Sequence, residues 1–124
     1  MSEKVLIVDD EKDFLEIIAE RLAARGMEVS TTTSAEDALN MVEENTYDVV
    51  IMDFMMPAMD GFKALKLMKA RQSGMQIILL TGNVPDEKRR EAEAFGVLDV
   101  IEKPPDLRDL IRKIKQAKRA QSTD

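Results

Sequence analysis

The chain has 124 residues, of which 44% are hydrophobic and 34% charged, and a formal net charge of −6; this is the composition of one folded domain rather than the low-hydrophobicity, high-charge mix of a disordered chain. It contains no Cys and no His, which removes disulfides, thiol nucleophiles, zinc–thiolate centres and imidazole bases and leaves chemistry to carboxylates, Lys, Thr or a hard cation. The acidic balance disfavours sequence-independent nucleic-acid contact, no apolar run nears the ~18 residues of a membrane span, and Met1-Ser-Glu-Lys4 leaves no room for a signal peptide, so a cytoplasmic protein is expected.

In chain order, short apolar runs alternate with helical periodicities, the pattern of a parallel sheet with crossover helices. Val5-Leu-Ile-Val8 is a first strand, ending in Asp9-Asp10. A helix from about Lys12 to Ala24 puts Phe14, Leu15, Ile18 and Leu22 on one face, and Gly26 stops it. Met27, Val29 and Thr31 alternate with polar residues, as a half-exposed edge strand would. Ser34 opens a second helix in a capping box with Asp37, with Ala35, Ala38, Leu39 and Val42 as its buried stripe. Val49-Val-Ile-Met52 runs into Asp53, and Asp60-Gly61 starts a third helix burying Phe62, Leu65 and Met68. Ile77-Ile-Leu-Leu80 runs into Thr81, and Pro85-Asp86 starts a charged fourth helix whose apolar face is little more than Ala92 and Phe95 before Gly96 ends it. That helix is the least anchored by composition. Val100-Ile101 leads through Glu102 to Lys103, after which Asp106 caps a fifth helix with Leu107, Leu110, Ile111 and Ile114 at helical spacing.

The three continuously apolar runs belong in the middle of the sheet and the Met27 and Val100 runs at its edges, which an order of 2-1-3-4-5 satisfies. Ligands of such sheets bind beyond the carboxyl ends of the strands where the order reverses. Asp9, Asp10, Asp53, Thr81 and Lys103 all stand at those ends, so they converge on one composite site. Carboxylates ~4 Å apart repel by ~4 kcal/mol per pair at an effective dielectric near 20. A hard divalent cation such as Mg²⁺ relieves that conflict, and the ion would also accept a phosphoryl group beside Asp53, which could act as a nucleophile. Lys103 can pair with one phosphoryl oxygen and the Thr81 hydroxyl can donate to another.

Taken singly, each residue has a plainer reading. Asp9-Asp10 ahead of a helix is usually a pair of charges on the helix dipole, Asp53 before Met56-Pro57 is as good a turn residue, Thr81-Gly82 is a strand end and Lys103-Pro104 a strand-to-helix turn. Met52, Met55, Met56 and Met59 read as core and loop packing, and the basic last helix, with Arg108, Arg112, Lys113, Lys115, Lys118 and Arg119, suits a helix C-terminus. The coincidence of all five polar residues at one sheet edge is what favours a site. A flavodoxin-type flavin binder is disfavoured because Asp9-Asp-Glu-Lys-Asp13 would repel phosphate, a dehalogenase-type phosphatase because Met55 stands where a second acid is needed, and no G-x-G-x-x-G or P-loop motif occurs.

Val5-Leu-Ile-Val-Asp-Asp10, Val50-Ile-Met-Asp-Phe-Met-Met-Pro-Ala-Met-Asp-Gly61, Leu79-Leu-Thr-Gly82, Ala94-Phe-Gly96 and Glu102-Lys-Pro104 together resemble the receiver domains of two-component response regulators, a family that supplies one of the standard examples of the 2-1-3-4-5 order. The resemblance implies a flavodoxin-like (βα)5 doubly wound domain over residues 1–124, with a core about 4–118 and a polar tail at 119–124. It implies that Asp53 accepts a phosphoryl group from the phosphohistidine of a sensor histidine kinase or histidine phosphotransfer protein. Asp10, Asp53 and the Met55 carbonyl would bind Mg²⁺ with Asp9 assisting through water, Thr81 and Lys103 would contact the phosphoryl group, and the Lys103-Pro104 peptide would be cis. Such a domain is not an enzyme, although it assists its own phosphorylation and dephosphorylation. It switches binding to a downstream effector or a fused output domain, makes no direct nucleic-acid or membrane contact, and allows a phosphorylation-dependent dimer. Val100 departs from the family, which has Tyr or Phe at this switch position, so readout is expected through the Thr81-Gly-Asn-Val84 loop and the fourth helix. The alternative is a pseudo-receiver, an interaction module that works without phosphorylation.

Overall fold

The computed structural model describes residues 2–56, 60–72, 74–83 and 85–122. Five strands and five helices alternate: β1 (Lys4–Val8), α1 (Lys12–Ala23), β2 (Glu28–Thr32), α2 (Ala35–Glu44), β3 (Val49–Asp53), α3 (Gly61–Arg71), β4 (Gln76–Thr81), α4 (Asp86–Ala94), β5 (Asp99–Glu102) and α5 (Leu107–Ser122). All pairings are parallel, in the order β2-β1-β3-β4-β5. The expected architecture and strand order therefore hold.

Alternate strand residues supply two cores, one on each face. Leu6, Val8, Val50, Met52, Ile77, Leu79 and Val100 pack with the apolar stripes of α2 and α3 and with Ala92 of α4. Val5, Ile7, Val49, Ile51, Ile78, Leu80 and Ile101 pack with Leu15, Ile18 and Leu22 of α1 and Leu110, Ile114 and Ala117 of α5. Because the three central strands are covered on both sides, their middle positions, Val5–Val8, Val49–Met52 and Ile77–Leu80, are apolar without a break, and polar residues stand only at the strand ends. The β1–β3 register pairs Val8 with Met52, so Asp9 and Asp53 leave the sheet side by side.

The helix boundaries follow their capping chemistry. Gly26 and Gly96 adopt φ of 87° and 88°, the left-handed conformation that ends a helix without a Cβ clash. Asp60 Oδ1 accepts from Phe62 N–H at 2.9 Å, and Asp106 Oδ1 accepts from Arg108 N–H at 2.9 Å, capping α3 and α5.

Four expectations are corrected in detail. Only half of the Ser34 capping box forms: Ser34 Oγ accepts from Asp37 N–H at 3.1 Å, but the Ser34 N–H donates to Thr32 Oγ1, so Asp37 has no donor to reach back to. Phe62 is only half-buried, with Ala64 taking the inner position, because the ring turns to meet Phe54 edge-on at 4.9 Å and Phe95 at 5.4 Å. Met27 is buried but precedes β2, and Thr31 is exposed on this edge strand. Phe95 stays 37% exposed, so Ala92 is the one buried side chain of α4.

Candidate functional site

The acidic residues are delivered by two neighbouring strand ends, and they meet a single ammonium. Asp9 is fully buried and Asp53 nearly so, whereas Asp10 and Glu11 face solvent. One carboxylate oxygen from each of the four lies within 4.8 Å of the others. Lys103 Nζ sits among them, 2.6 Å from Asp9 Oδ2, 2.9 Å from Glu11 Oε1 and 3.2 Å from Asp53 Oδ2. Its backbone is held from the other end: the Lys103 N–H donates to the Thr81 carbonyl at 2.8 Å, and the Lys103-Pro104 peptide is cis.

Backbone donors fix the two carboxylates. The Glu11 N–H donates to Asp9 Oδ1 and the Met55 N–H to Asp53 Oδ1, both at 2.9 Å. These short Asx-type contacts lock the side-chain torsions and leave each Oδ2 facing Lys103. Asp9 Oδ2 has no aligned hydrogen-bond donor despite its close ion pair, and the buried Thr81 hydroxyl has no hydrogen-bond partner among the described residues. An unmatched buried hydroxyl is costly and uncommon, and that of Thr81 is free to donate to an oxygen at this sheet edge.

The charges perturb one another in opposite ways. Burial raises the Asp9 carboxyl above its ordinary value, more than Lys103 and the Glu11 N–H lower it. Burial would lower the Lys103 ammonium, but its contacts with Asp9 and Glu11 and the charge of Asp53 outweigh that and raise it. The centre thus holds four acids against one base, and hard oxygen donors are in excess.

All five polar residues expected at the site come together. Met55 contributes its N–H to Asp53 while its side chain is 61% exposed. Val100 is buried in the core beneath α4, and its carbonyl accepts from Arg89 Nη1 at 3.1 Å. The sequence reading missed two participants. Glu11 pairs directly with Lys103, and Phe14 lays its ring 4.7 Å from the same ammonium. Glu11 could have been found from its adjacency to Asp9-Asp10; Phe14 carried only the signal of a core-facing helix residue. Pro57, Ala58 and Met59, and Val84 of the expected readout loop, lie outside the described residues.

Comparison with known proteins gives the family of the chain. The sequence profile for the response regulator receiver domain covers residues 5–115. Regulatory protein AtoC of Escherichia coli (strain K12) is 35% identical over 119 residues, which is 96% of this chain and 26% of AtoC. Response regulator SaeR of Staphylococcus aureus (strain USA300) is 33% identical over 110 residues, 89% of this chain and 48% of SaeR. The chain therefore spans less than half of either relative. A response regulator receiver domain protein from Clostridium thermocellum superposes with a TM-score of 0.91 at 32% identity, covering 98% of each chain. A CheY-like receiver domain protein from Methanospirillum hungatei JF-1 gives 0.92 at 28% identity, over 99% of this chain and 98% of that one. With fold, strand order and profile agreeing over nearly the whole length, the chain belongs to the response regulator receiver domain family.

Proposed function

We propose that Asp53 is the phosphoacceptor of this receiver domain, taking a phosphoryl group from the phosphohistidine of a sensor histidine kinase or histidine phosphotransfer protein in a Mg²⁺-dependent reaction. The observation that carries the reading is a nearly buried carboxylate, Asp53, with a lysine ammonium 3.2 Å away, at the sheet edge that also holds the buried, unpartnered hydroxyl of Thr81. The donor set fits Mg²⁺, since clustered hard oxygens with one ammonium between them leave net negative charge for a divalent ion. Asp10, Asp53 and the Met55 carbonyl would hold the ion, with Asp9 acting through water. Bound there, Mg²⁺ would offset carboxylate repulsion and polarise the phosphoryl oxygens.

In the transfer, an Asp53 carboxylate oxygen attacks phosphorus and the P–N bond to the donor imidazole breaks. The bonding pair returns to the ring nitrogen, which takes up a proton. The Met55 N–H keeps the carboxylate from rotating, Lys103 balances the charge gathering on the phosphoryl oxygens, and the Thr81 hydroxyl donates to one of them and so gains its missing partner. Hydrolysis of the acyl phosphate resets Asp53. The domain assists both steps on itself and is not an enzyme acting on a separate substrate.

The modified domain switches binding to a downstream effector protein or a fused output domain, with a phosphorylation-dependent dimer among its assemblies and no nucleic-acid or membrane contact of its own. No helix of the described residues is long and apolar enough to cross a membrane, and the cytoplasm is the compartment this reading assigns. An interaction module independent of phosphorylation would give the Thr81 hydroxyl no role. Acetyl phosphate with Mg²⁺ should add one phosphoryl group by intact-mass spectrometry, and the gain should vanish in Asp53→Ala. Persistence of the same labile adduct in that variant refutes the assignment.

A further inference from the structure

We propose that Phe14 is a positioning residue for Lys103, using the face of its ring to hold the ammonium beside the Asp53 carboxylate. The proposal rests on the reading of Asp53 as phosphoacceptor and adds a participant on α1 that contributes no polar atom. Lys103 Nζ lies 4.7 Å from the Phe14 ring centroid, within the range of a cation–π contact. The ring is half-buried and packs against the core formed with Leu15 and Ile18, so its plane is set by the fold. Lys103 itself is anchored at its backbone to the end of β4 and has a side chain only 14% exposed. Both the stem and the tip of the lysine are therefore constrained, by different elements.

Three carboxylates alone would not define where the ammonium rests. A lysine head is a point charge on a flexible stem, and attraction to Asp9, Glu11 and Asp53 is satisfied by many positions between them. An aromatic face adds a directional attraction without adding negative charge. It narrows the positions of the ammonium and leaves its charge for the phosphoryl oxygens, which a fourth carboxylate would not do. An aliphatic side chain of similar size would fill the space but lacks the ring quadrupole.

The test compares Phe14→Leu, which keeps apolar bulk, with Phe14→Trp, which keeps an aromatic face. In the metal-free protein, NMR should show the Lys103 ε-methylene protons displaced by the ring current in the parent and in Phe14→Trp, and released toward their ordinary shift in Phe14→Leu. With acetyl phosphate, Phe14→Leu should lower the maximal rate of Asp53 modification by about fivefold, the size of one modest cation–π contact, at an unchanged half-saturating Mg²⁺ concentration. Phe14→Trp should restore the rate. If Phe14→Leu fails to fold cooperatively, Phe14→Met takes its place with the same expectations. Parental rate and shift in the aliphatic variant, or Phe14→Trp falling with it, would reduce Phe14 to packing and overturn the proposal. Should the parent take up no phosphoryl group, the phosphoacceptor reading fails on its own, while the ε-methylene shifts still decide whether Phe14 positions Lys103.

Discussion

Replacing Lys103 with Met keeps the length and apolar bulk of the stem and removes the cation at the centre of the acidic cluster. Asp9 then becomes a carboxylate whose side chain is 1% exposed and whose ion pair is gone. Breaking a buried pair from one side costs about 3–5 kcal/mol. The Glu11 pair adds little, because Glu11 is 65% exposed and a screened surface pair is worth at most ~1 kcal/mol. Protonation of Asp9, already favoured by burial, limits the loss to the lower end, ~3 kcal/mol. For a domain of this size that corresponds to a Tm about 10 °C lower in EDTA. The sign with pH follows from the raised Lys103 value: its contribution is fully present below the ordinary value of 10.5 and is lost as pH rises through the higher folded-state value. Mg²⁺ should stabilise the variant more than the parent, since no ammonium competes for the carboxylates, and an ion at a hundredfold its Kd adds ~2.7 kcal/mol. Scanning calorimetry in EDTA and in Mg²⁺ measures both effects. A Lys103→Met protein that melts within about 2 °C of the parent in EDTA, or gains no more from Mg²⁺, refutes the reasoning.

Asp10→Asn should raise the metal-free Tm by about 3 °C, since one like-charge pair near 4–5 Å in water costs ~1 kcal/mol, and should blunt the Mg²⁺ response; a lower metal-free Tm with a full response would show that Asp10 is not part of the cluster. Burial lowers the Lys69 ammonium below its ordinary value of 10.5, so the unfolded chain binds the proton more tightly and stability rises with pH between the lowered value and 10.5. Lys69→Met should raise the Tm at neutral pH and flatten that rise, and a parental pH profile in the variant would count against it. Beryllofluoride, standing in for the phosphoryl group, should shift amides chiefly between Gly82 and Ile114 outside the site loops, and Arg89→Ala should shrink the α4 part by freeing the Val100 carbonyl; shifts mainly in α1 and α2 would place the output face elsewhere.

The strand order was legible because burial on both faces forces unbroken apolar runs in β1, β3 and β4, and the site followed because each run ends in a polar residue. What sequence alone could not supply was the partner of each charge. Lys103 was expected to reach a phosphoryl group, and its ion pairs with Asp9, Glu11 and Asp53 carry no signal in the sequence. Asp10 is solvent-exposed and Asp9 buried, a difference that two adjacent aspartates do not reveal in the sequence. Helical periodicity placed Phe14 on the inner face of α1 but could not reveal that its ring meets a lysine 89 positions later, a contact made at the carboxyl edge of the sheet, where β5 ends and α1 begins. Ser34 and Asp37 had the right spacing for a reciprocal cap, and a hydroxyl two residues upstream took one half of it.

Gly61 sets the mechanics of the acceptor strand. A Cβ built there would lie 2.5 Å from the Phe54 carbonyl oxygen and 2.7 and 2.8 Å from its ring, so the first turn of α3 rests directly on the backbone that follows Asp53. The Phe54 carbonyl and ring pack against a residue with no side chain of its own, which leaves little space between them. Strand β3 and helix α3 are therefore geared together through Phe54 and Gly61, and a displacement at Asp53 should carry to the first turn of α3. Compliance is expected instead at the neighbouring α4, which has one buried side chain and an arginine bond to the β5 backbone. A larger residue at position 61 would disengage the gear, moving the stiff boundary to the acceptor strand itself.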